Sequence, residues 1–250
     1  MNALPAIERG NEAAEPVVLL HGFGGSARVW GPVQDELSDV HTIALDLPGH
    51  GAAVEYPDAT RTVTARNAVL TEIERRGFER VHLVGHSRGG AIACLVAMKA
   101  PERVASLTLA APGGFGPDIA ADDLAAFAAA RDEGELREAL GRLYAPRRPS
   151  RRMIAEQLER RTPEAIETMI VMRAGMVDEA GRQHALDLSL IEAADYPVTI
   201  VWGEADAVLP VAQADAIARA RNVILPQVGH MLPDEAPRTL ADAIRANLHT

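Results

Sequence analysis

Val81-His82-Leu83-Val84-Gly85-His86-Ser87-Arg88-Gly89-Gly90-Ala91-Ile92-Ala93-Cys94-Leu95-Val96-Ala97-Met98 decides how this chain is read. A short apolar run meets a serine between two glycines, and a second apolar run follows at once. The pattern predicts a strand, a very sharp turn and a buried helix. Glycine is needed where backbones pass too close for a Cβ and where the turn forces strained angles. The serine then projects from the end of a sheet, with the next residue's N–H beside it at the helix start. That arrangement suits a nucleophile, provided that a base and an acid stand elsewhere in the chain.

The same alternation runs outward from this centre. Upstream, Pro16-Val17-Val18-Leu19-Leu20 is an unbroken apolar run of the kind found in buried parallel strands. It leads into the turn His21-Gly22-Phe23-Gly24-Gly25-Ser26 and a helix expected over 29–37. A strand is expected over 41–45, ending at the loop Asp46-Leu47-Pro48-Gly49-His50-Gly51. Residues 60–76 read as an amphipathic helix with Val63, Leu70 and Ile73 on its inner face and Gly77 as its stop. Downstream, a strand over 104–110 closes at Pro112-Gly113-Gly114. Residues 4–8 leave room for one leading strand at most.

The alternation then breaks. Residues 115–194 carry four helical patterns, at 120–130, 133–144, 151–160 and 164–177, and no convincing strand. It resumes with Pro197-Val198-Thr199-Ile200-Val201-Trp202, a helix over 211–220, a strand over 222–228 and a helix over 236–248. The expectation is an α/β fold: a mostly parallel sheet flanked by helices, made of residues 1–114 and 195–250, with an all-helical cap inserted at 115–194. The basic run Arg147-Arg148-Pro149-Ser150-Arg151-Arg152 reads as a solvated linker inside that insertion, with an anion site as the sharper alternative.

Composition narrows the function. The 250 residues are 48% hydrophobic and 24% charged, an ordinary globular balance for one domain with an insertion. A formal net charge of -10 argues against nucleic acid or an anionic membrane as partner. The single cysteine, Cys94, sits in an apolar run as core filler and fits a reducing compartment. Met1 to Glu15 has no apolar segment of the signal-peptide type, so a cytoplasmic location is the expectation.

A serine hydroxyl needs a base, and the base needs a group that holds its tautomer. Asp206 follows the strand ending at Trp202, and His230 follows the last strand. The order Ser87, Asp206, His230, each at the C-terminal end of a predicted strand, puts all three at one sheet edge. Glu204 is the competing acid. His86 is expected to point away from the nucleophile, and His21 and His50 to stabilise turns. His41, His82, His184 and His249 have no partner legible in sequence. Met169, Met172 and Met176 share a helical face that reads equally as core or as an apolar pocket wall. Phe23, Phe115 and Phe127 are similar cases, core or candidate pocket residues.

With these residues in place, nearly the whole chain resembles the α/β-hydrolase superfamily. The resemblance rests on His21-Gly22-Phe23-Gly24-Gly25, Asp46-Leu47-Pro48-Gly49-His50-Gly51, Gly85-His86-Ser87-Arg88-Gly89-Gly90, Trp202-Gly203-Glu204-Ala205-Asp206 and Gly229-His230. It implies an oxyanion hole from the backbone N–H groups of Phe23 and Arg88, and a cap that roofs the site. Ala52 and Ala53 depart from the family pattern, which often has a serine there. Epoxide hydrolases and haloalkane dehalogenases are similar but place an aspartate where Ser87 stands. The stretch Ala110-Ala111-Pro112-Gly113-Gly114-Phe115-Gly116-Pro117-Asp118-Ile119 is similar to the hydrolase-like acetyltransferase component of acetoin dehydrogenase complexes. That component carries a lipoyl domain ahead of its catalytic domain, and none is expected in this sequence.

The reading is therefore a serine hydrolase of small carboxylic esters or thioesters that works through an acyl-enzyme and needs no cofactor or metal. Acyl transfer by the same residues is the alternative. A rival of another class remains on the page. Gly22-Phe23-Gly24-Gly25-Ser26-Ala27 fits the dinucleotide fingerprint, with Asp46 near the place of a ribose-binding acid. That NAD(P)-dependent reading leaves Ser87, Asp206 and His230 as coincidences. A catalytically silent binding protein on the same fold is the third class, against which the three residues together argue.

Overall fold

The computed structural model describes residues 3–144 and 146–248. Strand β1 (Ala6–Arg9) pairs antiparallel with β3 (Thr42–Leu45), and β2 (Val17–Leu20) pairs parallel with β3. Between β2 and β3 lie a 3-10 turn (Ala27–Trp30) and α1 (Gly31–Glu36). Helix α2 (Thr62–Arg75) leads to β4 (Val81–His86), α3 (Arg88–Lys99) and β5 (Val104–Ala110). Five helices follow: α4 (Ala121–Ala129), α5 (Glu133–Leu143), α6 (Arg151–Leu158), α7 (Pro163–Ala174) and α8 (Ser189–Glu192). The chain then returns to β6 (Val198–Gly203), β7 (Arg221–Leu225), α9 (Leu232–Glu235) and α10 (Pro237–Leu248).

The strands form one sheet in the order β1-β3-β2-β4-β5-β6-β7. Every residue of β2, β3, β4 and β6 is buried, as expected for parallel strands covered on both faces. β2 lies between β3 and β4, so the connections leaving the sheet there run in opposite directions. Ligands of open α/β sheets bind outside the strand C-termini at such a switch point. The turn after β2 and the turn after β4 both open at this place.

Tight packing at the second turn explains its glycines. A Cβ on Gly89 would stand 2.2 Å from the Leu20 carbonyl oxygen, and one on Gly85 would stand 2.4 Å from the Gly89 carbonyl oxygen. Helix α3 is thus pressed against β2 and β4 at its first turn, and only glycine permits the approach.

Three expectations shift. α2 buries Ala65, Ala68, Val69, Glu72 and Ile73, while Val63 is exposed. The inner face therefore mixes two alanines and a glutamate with Val69 and Ile73, which a search for large apolar residues only partly finds. The helix expected over 211–220 is only a 3-10 stretch, Val211–Ala216. The last strand ends at Leu225, three residues before the end expected. Among the described residues no helix is long and apolar enough to cross a membrane.

Candidate active site

Ser87 occupies φ 53°, ψ -122°, a left-handed region that a side chain enters only under constraint. The constraint is visible. Its N–H donates to the Ala110 carbonyl at 3.0 Å, and its own carbonyl accepts from Gly113 and Gly90, each at 2.9 Å. Strand β5 and helix α3 thereby hold the turn from both sides.

The hydroxyl so presented meets His230. His230 Nε2 lies 3.0 Å from Ser87 Oγ, and His230 Nδ1 lies 2.8 Å from Asp206 Oδ2. A carboxylate oxygen can only accept, so the imidazole proton sits on Nδ1 and Nε2 is free to accept from serine. Asp206 is anchored by the turn after β6: its Oδ1 accepts from the amides of Val208 at 2.8 Å and Leu209 at 2.9 Å. Burial pushes the Asp206 carboxyl up, but His230 and these two amides outweigh it and hold the group below its usual range. Glu204, the competing acid, is exposed.

Two residues that sequence reasoning missed lock His230. His86 Nε2 donates to the His230 carbonyl at 2.9 Å, and the two rings stand 5.0 Å apart. The side chain that was expected to point away from Ser87 is therefore a strut for the His230 backbone. Burial drives its pKa down to about 3, which keeps it neutral and fixes its proton on the donating nitrogen. Glu235 brackets the same loop, accepting from Gly229 and Met231, each at 3.0 Å. The sequence signal for Glu235 was available: an acid just inside a helix that begins two residues after the histidine.

The turn after β2 is held by neutral histidines. His21 donates from Nδ1 to the Gly22 carbonyl at 2.8 Å and accepts the Leu47 amide at 3.0 Å. His50 accepts the Gly24 amide at 3.0 Å and pairs through Nδ1 with the Pro48 carbonyl at 3.0 Å. Burial lowers the His21 pKa to about 4, and burial together with His21 and Arg88 puts His50 well below its ordinary value. Phe23 N–H and Arg88 N–H donate to no protein acceptor among the described residues. Asp46 does not offer a free carboxylate: its oxygens accept from Ala27 at 2.7 Å and Ala52 at 2.9 Å. Both oxygens of the acid that the fingerprint required are thus engaged in holding the neighbouring turns.

Ser87 and His230 open into a cavity of about 210 Å³. Its wall includes Gly22, Phe23 and His86 from the sheet turns, and Leu124, Phe127, Leu140, Leu143, Met153, Gln157 and Arg160 from the helical segment. Gln157 also donates to the Gly24 carbonyl at 3.0 Å, tying that segment to the β2 turn. Of the candidate pocket residues, Phe23 and Phe127 line this cavity. Phe115 is turned to Trp202, with ring centroids 6.4 Å apart. Met172 is buried in the core beside Gly49, and Met176 is packed against the core. Met169 lines a neighbouring cavity of about 250 Å³ with His50, Gln157, Arg160 and Arg161. The methionine stripe thus does not line the serine's cavity: Met169 and Met172 stand against the turns at Gly24 and Gly49 instead.

Other histidines find structural partners. His41 pairs with Glu8 at 2.6 Å, and His82 with Ser106 at 2.8 Å, while His249 lies outside the described residues. Cys94 is buried, and burial pushes its thiol up to about 12, so it stays protonated. The basic run is only partly a solvated linker. Ser150 caps α6 by accepting from the Met153 amide at 3.1 Å, and Arg147 donates to the Glu235 carbonyl at 3.2 Å.

A serine on a strained strand-to-helix turn, at the switch point of a largely parallel sheet, defines an α/β hydrolase fold. The chain belongs to the α/β hydrolase family, which it matches over residues 17–243. It is 34% identical over 231 residues to the dihydrolipoyllysine-residue acetyltransferase component of the acetoin cleaving system of Pseudomonas putida, covering 92% of this chain and 62% of that protein. The corresponding component of Cupriavidus necator is 33% identical over 227 residues, with 89% and 60% covered. The chain therefore spans less than two thirds of the length of these relatives. Among solved structures, a 2-hydroxy-6-oxo-6-phenylhexa-2,4-dienoate hydrolase from Rhodococcus superposes with a TM-score of 0.84 at 22% identity, covering 98% of this chain and 94% of that one. A thermophilic esterase from Thermogutta terrifontis superposes at 0.78 with 25% identity, covering 99% and 94%.

Proposed function

We propose that this chain is a serine hydrolase of small carboxylic esters or thioesters. The observation that carries the reading is the hydrogen-bonded line Ser87 Oγ, His230, Asp206 at 3.0 and 2.8 Å, opening into a cavity. Ser87 attacks the substrate carbonyl while His230 Nε2 takes its proton. Asp206 stabilises the imidazolium that results. The N–H groups of Phe23 and Arg88, with no protein acceptor of their own, receive the oxyanion. Each such donor is worth about 10²–10³ in rate. His230 then protonates the leaving alcohol or thiol, and a water activated by the same nitrogen releases the acid. The helical insertion over 115–194 serves as the roof, since α4, α5 and α6 supply much of the cavity wall.

Ser87→Ala is expected to abolish p-nitrophenyl acetate hydrolysis and labelling by a fluorophosphonate, with an unchanged circular dichroism spectrum. Retained turnover in that variant sinks the scheme. A second reading, acyl transfer, draws on the 34% identity to a protein named as an acetyltransferase component. It uses the same acyl-enzyme with a thiol in place of water. Partition of the acyl group between water and an added thiol separates the two.

A further inference from the structure

The wall of the active cavity carries three guanidinium groups, one of them with a buried nitrogen that has no acceptor among the described residues. Arg28, Arg152 and Arg160 line it, against Glu156 and Asp234. Arg152 is paired with Glu156 at 2.8 Å. Asp234 is turned toward Tyr144, and burial raises its carboxyl pKa. Arg28 and Arg160 make no side-chain hydrogen bond or ion pair among the described residues. Arg160 Nη1 is also shut away from solvent without an acceptor. Burial has the largest effect on Arg160 and lowers its pKa, while Glu156, Asp46 and Glu159 favour its charge and the exposed Arg28 disfavours it.

The buried nitrogen is costly in the free protein, because a buried donor without an acceptor loses its hydration with nothing in return. Arg160 also borders the neighbouring cavity beside Glu159 and Arg161, and Arg161 Nε and Nη2 are likewise buried without an acceptor among the described residues. Arg88, buried beneath, makes no side-chain hydrogen bond either and stays a cation although burial lowers it to about 10. A guanidinium fork of this kind matches a carboxylate or another oxyanion in a two-point contact.

We infer that the substrate carries, besides the scissile ester or thioester, a carboxylate-like anionic group that Arg160, assisted by Arg28, receives inside the active cavity. The inference rests on the reading of Ser87 as the nucleophile and narrows its substrate class. At about 210 Å³ the cavity lies below the usual range of ligand pockets, which favours a short substrate with its anionic group a few bonds from the reacting carbonyl.

The test compares three p-nitrophenyl substrates: the hexanoate, the monoester of adipic acid, and the methyl ester of that adipate monoester. A fourth, 4-carboxyphenyl hexanoate, places the charge on the leaving side. In the wild-type protein kcat/KM for one of the two anionic esters is expected to exceed that for its neutral counterpart. The ratio is expected to fall about 10- to 100-fold in Arg160→Gln, the worth of a charge-assisted hydrogen bond, with a smaller fall in Arg28→Gln. Free adipate is expected to compete with neutral ester in the wild type and to lose potency in Arg160→Gln. Should Arg160→Gln fail to fold, the wild-type ratio, adipate competition and Arg28→Gln decide the matter. Cleavage of the neutral ester with no anionic preference and no adipate competition leaves the hydrolase reading standing and overturns this inference: the guanidinium is then only solvated. Cleavage of none of the esters, with no fluorophosphonate labelling of Ser87, overturns both.

Discussion

Asp206→Asn isolates what the carboxylate contributes to the base. Asp206 Oδ1 accepts two backbone amides, Val208 at 2.8 Å and Leu209 at 2.9 Å. An asparagine must keep its carbonyl oxygen in that place, because its NH₂ group would face two donors. The NH₂ group then stands where Oδ2 was, 2.8 Å from His230 Nδ1. As NH₂ can only donate, Nδ1 must become the acceptor and the imidazole proton moves to Nε2. That nitrogen now donates to Ser87 Oγ and cannot take its proton. Loss of the correct tautomer in such a triad costs about 10⁴ in kcat, or about 5 kcal/mol at 1.36 kcal/mol per tenfold. The fold should hardly notice, since both backbone amides keep their acceptor. A melting-temperature change within a few degrees is expected, at ~2–4 °C per kcal/mol for a chain of this size. Asp206→Ala differs: it strands both amides at about 1–3 kcal/mol each and should melt distinctly lower. Steady-state hydrolysis of p-nitrophenyl acetate at pH 7, with thermal melts of all three proteins, makes the comparison. A kcat for Asp206→Asn within tenfold of wild type, at unchanged stability, refutes the tautomer argument.

Strain at the nucleophile is open to a separate measurement. Ser87→Gly removes the side chain that resists φ 53°, a conformation costing about 1–3 kcal/mol, while Ser87→Ala keeps a Cβ there. Both lose the hydroxyl, so Ser87→Gly is expected to melt above Ser87→Ala, less the roughly 0.5–1 kcal/mol that glycine adds in chain entropy; equal or reversed melting temperatures contradict the strain. Acid sensitivity follows from Glu72, which is 2% exposed and takes Arg75 at 2.6 and 2.9 Å, Arg76 at 2.7 Å and the Leu4 amide at 3.3 Å. Burial pushes its carboxyl up, but the two arginines win and hold it below the usual range. A depressed native pKa means that its stabilisation is complete above the unfolded value of about 4.3 and is lost as pH falls through the lower native one. Glu72→Gln should therefore cost roughly 3 kcal/mol at pH 7 and show a flatter melting-temperature profile than wild type below about pH 5. A parallel pair of profiles would exclude Glu72 as a source of acid lability.

Much of the architecture was legible in local patterns. Unbroken apolar runs at Val17–Leu20 and Val198–Gly203 mark buried parallel strands wherever they occur, because both faces of such a strand meet helices. The glycines at 85 and 89 mark a turn too tight for a Cβ, which would stand 2.4 and 2.2 Å from backbone carbonyl oxygens. From that turn, chain order alone pointed to Ser87, Asp206 and His230. Helix faces were read less well. The inner side of α2 mixes two alanines and a glutamate with Val69 and Ile73 and has no strong periodic signal, and the 211–220 segment carries good helix formers yet folds as a 3-10 stretch.

What the sequence determined by itself was the set of elements, their alternation and the residues that end each strand, since these depend on neighbours a few positions apart. Tertiary structure alone decided which groups meet. His86 reaches the carbonyl of a residue 144 positions away, and Gln157 reaches Gly24 across 133. Phe127 reaches the serine's cavity while Phe115 and three methionines do not: Phe115 turns to Trp202, and Met169 and Met172 meet the turns at Gly24 and Gly49. Contacts of that separation depend on how whole elements pack, and no local pattern encodes the angle at which a helix comes to rest on a sheet edge.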